Sequence, residues 1–200
     1  MATASIPQHG TQQGEWKLPS RGTVAMSALI TAESAIFTIF VVAYLYYLGR
    51  DVHGPTPKEA LEVPWFYSIC LISSSFFIVL AERAIEHGKM AAFRLWWAVT
   101  ILLGIIFLYG TGVEWRSLIV EHHLTIATNL FGTTYYSLVG LHASHVVVGL
   151  IMMLVVLVFS LMGAVHPHHA YRVKTLALYW HFVDAVWIVV FTVVYVVGRQ

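Results

Sequence analysis

The sequence predicts an all-α integral membrane protein, a bundle of five transmembrane helices. Of its 200 residues, 58% are hydrophobic and only 10% are charged, and the mean hydropathy is +0.75. A soluble domain carries roughly a quarter charged residues, so this chain must expose much of its outside to lipid. Apolar stretches of about 20 residues, the length needed to cross a bilayer, occur five times.

The five predicted spans are joined by short polar connections. They run approximately over Val24–Leu48, Val63–Leu80, Leu95–Trp115, Gly132–Gly163 and Leu176–Val197. The first connection contains Gly54-Pro55-Thr56-Pro57, which cannot continue a helix. Little sequence remains for a soluble domain, so we predict one membrane domain over residues 23–200. Residues 1–22 form a polar N-terminal segment without the basic region of a signal peptide, and the first span is expected to be a retained anchor.

The distribution of Lys and Arg predicts the orientation of the chain. Seven basic residues belong to one side: Lys17, Arg21, Arg83, Lys89, Arg94, Arg172 and Lys174. Four belong to the other: Arg50, Lys58, Arg116 and Arg199. Cytoplasmic segments carry the excess of basic residues, so the N-terminus is predicted in the cytoplasm and the C-terminus outside.

Several polar residues fall inside the predicted spans. A charge at bilayer depth costs at least ~2.5–3.5 kcal/mol, so such residues usually pair inside the bundle and have a function. The candidates are Glu33, Ser74, Glu114, His142, His145, His181 and Asp184. A rise of about 1.5 Å per residue puts Glu33 in one inner layer with Ser73–Ser75, His181 and Asp184. By the same count, His142 is expected near Glu114, which lies at the end of the third span.

Metal or haem binding is an alternative interpretation of these histidines. His142 and His145 share a helix face, as do His181 and Asp184. However, His142 and His181 differ in depth by roughly 17–20 Å, which excludes one haem between them. Cys70 is the only cysteine, so a Cys-based metal site is excluded. We expect no metal or haem in this chain and structural hydrogen bonding for the histidines.

Five segments resemble, in order, motifs of subunit III of the haem–copper respiratory oxidases. Leu178–Trp187 resembles the family's YWHFVDxVW segment, and Asn129–Gly149 resembles its GxxFYxxxGxHxxHVxxG helix. Three further segments resemble motifs of the same family: Ala32–Phe37, Leu61–Pro64 followed by Ser73-Ser74, and Gly104–Trp115. Many members have seven spans, and this chain resembles the five-helix bacterial forms.

The resemblance implies a subunit of an oxidase in the bacterial plasma membrane, with no redox centre of its own. It would pack on subunit I, together with subunits II and IV, support proton uptake there and protect the active site during turnover. Haem and copper are expected in those partners. Membrane lipids are expected neighbours, with phospholipid a candidate ligand, and the net charge of +1 gives no indication of nucleic acid.

The surface that contacts subunit I is expected on the first span. Membrane helices approach closely where their residues are small, and this span offers Ala28, Ala32 and Ala35 alongside Phe37. Three other functions stay open: an accessory subunit of a nitric oxide reductase system, a self-sufficient membrane haem protein, and a small transporter. Against the transporter, no predicted span is interrupted at its centre by Gly or Pro, and there are no paired halves.

Overall fold

The computed structural model describes residues 20–50 and 54–199. Its α-helices are α1 (Arg21–Tyr47), α2 (Pro57–Ala60), α3 (Trp65–Glu86), α4 (Met90–Val120), α5 (Leu130–Leu161) and α6 (Ala170–Phe191). A 3₁₀ turn, Pro167–His169, precedes α6, and a π-helical turn, Thr192–Val197, follows it. Within the described ranges there is no β-strand, and five helices are long and apolar enough to cross a membrane. The predicted all-α class with five spans is therefore confirmed.

Most of the predicted N-terminal segment lies outside the described residues, which begin at Ser20. α3 and α4 extend beyond the apolar stretches that predicted them. α3 continues to Glu86 and α4 reaches from Met90 to Val120, because backbone hydrogen bonding continues where polar side chains are solvated beyond the hydrocarbon. Glu114 therefore lies six residues before the end of α4, and the prediction that it ends a helix was wrong.

α1 is the most exposed of the five spanning helices. Only 11% of its apolar window is buried, against 28–44% for the other four. It packs against α5 and α6, while α3 packs mainly along α4. Near the predicted cytoplasmic end, the Thr23 and Tyr171 hydroxyls are 2.6 Å apart and join α1 to α6. One side of α1 is thus left open at bilayer depth.

Trp180 of α6 lies between α3, α4 and α5 in the bundle centre. It is 1% exposed, and its Nε1 donates to Ser74 Oγ of α3 at 2.8 Å. A Cβ on Gly104 of α4 or on Gly149 of α5 would lie 2.9 Å from the indole ring. These two glycines leave the space that the ring fills. We call the set Gly104, Gly149 and Ser74 the Trp180 slot.

Two other buried tryptophans also use their indole N–H groups between helices. Trp187 Nε1 donates to Ser68 Oγ at 3.2 Å, and Trp97 Nε1 donates to the Met153 carbonyl at 2.9 Å. A buried indole N–H needs such an acceptor. These bonds hold α6 on α3 and α4 on α5, and they fix the helices that carry the polar residues described below.

Candidate functional site

The inward face of α1 is marked by Glu33, Phe37, Phe40 and Tyr44, which follow one another at helical spacing. Phe37 is 4% exposed and Tyr44 is 1% exposed. The Phe37 ring packs against three rings of the bundle, those of His142, His145 and Phe182. Phe37 therefore belongs to the core of this chain, and its assignment to the outward contact surface was wrong.

The opposite face of α1 carries Ala28, Ala32 and Ala35, and all three are exposed. They follow at i, i+4 and i+7, so they form one stripe of small residues. Their role as a contact surface for another subunit stays a prediction.

Glu33 pairs with His145 of α5. Glu33 Oε2 lies 3.1 Å from His145 Nε2, and the two side chains are 22% and 14% exposed. His145 Nδ1 lies 2.8 Å from the Leu141 carbonyl oxygen, and Tyr179 OH donates to the His145 carbonyl at 3.3 Å. The expected company of Glu33, Ser73–Ser75 and His181, is not what the structure shows. The reason for the serines is that α1 packs against α5 and α6 and not along α3. His181 lies on α6, but its ring contacts Ser75 of α3 instead of Glu33.

The second polar cluster joins α3 to α6 through Ser75, His181 and Asp184. Ser75 Oγ donates to Asp184 Oδ2, and His181 Nδ1 lies 3.1 Å from Ser75 Oγ. Asp184 is 4% exposed. The depth count thus correctly placed Ser75 beside these two residues. Ser74 itself points into the Trp180 slot, and its hydroxyl also donates to the Leu71 carbonyl at 2.6 Å.

The third cluster forms around Glu114 of α4. Tyr195 OH lies 2.8 and 2.9 Å from the two carboxylate oxygens, and the Tyr195 side chain is 3% exposed. Tyr195 sits in the π-helical turn Thr192–Val197, whose wider backbone brings the phenol to α4. Tyr195 is not among the candidates that the sequence suggested. The signal that could have found it was the need of a carboxylate at membrane depth for a nearby donor.

His142 occupies an aromatic environment and does not pair with Glu114. The side chain is fully buried. Its ring stacks on Trp187, with centroids 4.9 Å apart, and meets Phe107 edge-on. Neither ring nitrogen has a hydrogen-bond partner among the described residues. The depth estimate was too coarse to find this, because stacking depends on the direction of the side chain around the helix axis.

These polar contacts join the helices of the bundle to one another. Within residues 20–50 and 54–199, no three His, Cys, Asp or Glu side chains come together in a way that could hold a metal ion. Both nitrogens of His145 are already engaged. The Glu33–His145 pair is the feature with acid–base chemistry, because it joins a carboxyl group directly to an imidazole.

Comparison with known proteins gives the same family as the motifs. The family model described as "Cytochrome c oxidase subunit III" matches residues 23–199. The chain is 31% identical over 196 residues to cytochrome c oxidase subunit 3 of Alkalihalophilus pseudofirmus, covering 97% of this chain and 93% of the relative. It is 38% identical over 194 residues to the subunit 3 of Synechocystis sp., covering 93% and 80%. A probable subunit 3 of Mycobacterium tuberculosis is 36% identical, covering 86% and 87%.

These matches and the five apolar helices describe a multi-pass membrane protein with a respiratory role. The chain belongs to the cytochrome c oxidase subunit III family and is a subunit of a haem–copper oxidase complex.

Proposed function

We propose that this chain is the non-catalytic subunit III of a proton-pumping terminal oxidase, packed on subunit I. It supports proton uptake there and protects the active site during turnover, while subunits II and IV complete the complex. Haem and copper belong to the partner subunits in this proposal. The observation that carries it is the Glu33–His145 pair, a carboxyl group and an imidazole in contact at membrane depth.

The exposed face of α1 supports the contact with subunit I. Ala28, Ala32 and Ala35 are exposed at bilayer depth, and small residues let another helix approach closely. Beside them, a groove of about 320 Å³ runs between α1 and α6 and is lined mainly by apolar side chains, among them Val41 and Val186.

The proposed orientation puts the N-terminus in the cytoplasm of a bacterial cell and the C-terminus outside, because the basic residues are unequally distributed. Glu33 is then about 18 Å along α1 from Arg21, at about 1.5 Å per residue. The pair lies within reach of the side from which an oxidase takes up protons.

We expect Glu33→Gln to leave the complex assembled and to slow its turnover, most strongly at high pH. The glutamine amide can still donate to His145 Nε2, so the geometry is retained, but the group no longer titrates. Protons are scarce at high pH, and a missing proton-collecting group then limits the rate. A loss of about twofold to tenfold corresponds to up to ~1.4 kcal/mol in the barrier. The measurement is steady-state oxygen consumption of the purified complex as a function of pH.

Glu121→Gln is the matched control, because Glu121 is an exposed carboxylate that directly follows the last residue of α4. Its pH profile should equal that of the wild type. Normal turnover of Glu33→Gln at every pH would contradict the proton-uptake role and leave Glu33 as a structural residue.

Labelling with a membrane-impermeant thiol reagent checks the orientation. In a Cys70→Ser background, Gln200→Cys should react in spheroplasts, whereas Ser5→Cys should react only after permeabilisation. Both positions lie outside the described residues. Reaction of Ser5→Cys in intact spheroplasts would reverse the assignment.

A further inference from the structure

The hydrogen on one His145 nitrogen is fixed by its backbone contact. His145 Nδ1 lies 2.8 Å from the Leu141 carbonyl oxygen. A carbonyl oxygen only accepts hydrogen bonds, so Nδ1 must carry a hydrogen. The protonation state of His145 is therefore decided at Nε2, the nitrogen that faces Glu33.

The contact between Glu33 Oε2 and His145 Nε2 is a hydrogen bond only when one proton lies between the two atoms. Oε2 and Nε2 are 3.1 Å apart. Either a protonated Glu33 donates to a neutral imidazole, or an imidazolium donates to a carboxylate, and both arrangements have zero net charge. A second proton would leave two donors facing each other, and the absence of a proton would leave two acceptors. Each of those states would also place a net charge at membrane depth, which is costly.

We infer that Glu33 and His145 share a single proton, which rests on Glu33, and that His145 is the positioning residue for it. The uncharged arrangement is favoured because desolvating two ions costs more than their attraction returns. Transfer from Oε2 to Nε2 breaks one O–H bond, forms one N–H bond and leaves the net charge at zero. Only the use of this proton for uptake by the oxidase rests on the proposed function.

The surroundings leave few side chains with which the pair could exchange its proton. The Phe37 ring centroid lies 5.0 Å from that of His145 and covers one side. Two other titratable groups are close: Tyr179 of α6, whose hydroxyl donates to the His145 carbonyl, and His142, one turn along α5. His142 is enclosed by aromatic rings, and the Tyr179 hydroxyl is directed at the backbone.

Infrared spectroscopy of the purified complex tests the position of the proton. The difference spectrum of wild type minus Glu33→Gln should contain the C=O stretch of one protonated carboxyl group, shifted in D₂O. In His145→Phe this band should remain and change frequency, because the O–H loses its acceptor. A difference spectrum with carboxylate bands alone would overturn the assignment of the proton to Glu33. An unchanged frequency in His145→Phe would overturn the shared hydrogen bond.

Two further variants make the result specific. Asp184→Asn removes a different buried carboxyl group and should leave the Glu33 band unaltered. If His145→Phe does not assemble, His145→Gln supplies a weaker acceptor, and the band should again change frequency.

The turnover assay separates the two proposals. Normal turnover of Glu33→Gln with the expected band contradicts only the role in proton uptake. Slow turnover with only carboxylate bands contradicts only the placement of the proton on Glu33.

Discussion

Replacement of Trp180 by alanine is expected to destabilise the bundle by about 3–5 kcal/mol, the range for truncating a buried aromatic side chain. The indole fills the Trp180 slot between α4 and α5, so its loss leaves a cavity lined by two glycines that cannot fill it. Ser74 also loses its donor. The measurement is thermal release of this subunit from the purified complex in mild detergent. Trp180→Phe should cost less, because most of the ring remains.

Glycine substitutions test the same feature from the opposite side. A Cβ at position 149 would lie 2.9 Å from the Trp180 ring, so Gly149→Ala should overpack the slot and cost about 1–3 kcal/mol. Gly112→Ala is the matched control on α4, since no atom lies within 4 Å of its added Cβ. Equal thermal stability of these two variants would show that the slot is less tightly packed than described.

Ala35→Leu is expected to release the subunit from the oxidase while leaving its own fold intact. Ala35 is exposed on the outward face of α1, so the larger side chain meets nothing within this chain and obstructs a close-packed partner. Overpacking by about 1–3 kcal/mol corresponds to roughly 5- to 140-fold weaker association, at about 1.4 kcal/mol per decade. The measurement is the amount of this chain that co-purifies with subunit I. The remaining core should be competent but inactivate faster during turnover.

Gly112→Leu is the control for this experiment, because it places the same side chain at an exposed position on α4. It should leave the subunit bound. Retention of Ala35→Leu at the wild-type level would move the contact with subunit I away from this face. Loss of haem from the core upon removal of the subunit would contradict the accessory role.

The five spans could be predicted because bilayer thickness and hydropathy act on each segment separately. Helix ends could not, because the hydrogen-bonded backbone continues past the hydrocarbon wherever its side chains tolerate water. α4 shows this clearly: Glu114 looked terminal from its polarity, yet the helix runs on to Val120. The depth of each residue in the membrane could also be predicted from its position along its helix, and this depth correctly grouped Ser75 with His181 and Asp184.

The direction in which a side chain points around its helix could not be predicted from the sequence. The partner of Glu33 depends on which helices surround α1, and that is a property of the whole bundle. One signal was available and was not used, namely that Glu33 and Phe37 are four residues apart and therefore share a face. Either both point inward or neither does. The cost of a lipid-facing carboxylate would have placed Phe37 in the core as well.

The packing of α1 against α5 and α6 also sets an order for biosynthesis. Glu33 and His145 are 112 residues apart in the chain. A ribosome that adds about 5–20 residues per second needs about 6–22 s to travel between them. During that interval the Glu33 carboxyl group has no imidazole to pair with. α1 can complete its packing only after α5 and α6 have been synthesised. Insertion and assembly of this subunit are thus distinct steps, and a chain interrupted before α5 would leave Glu33 unpaired.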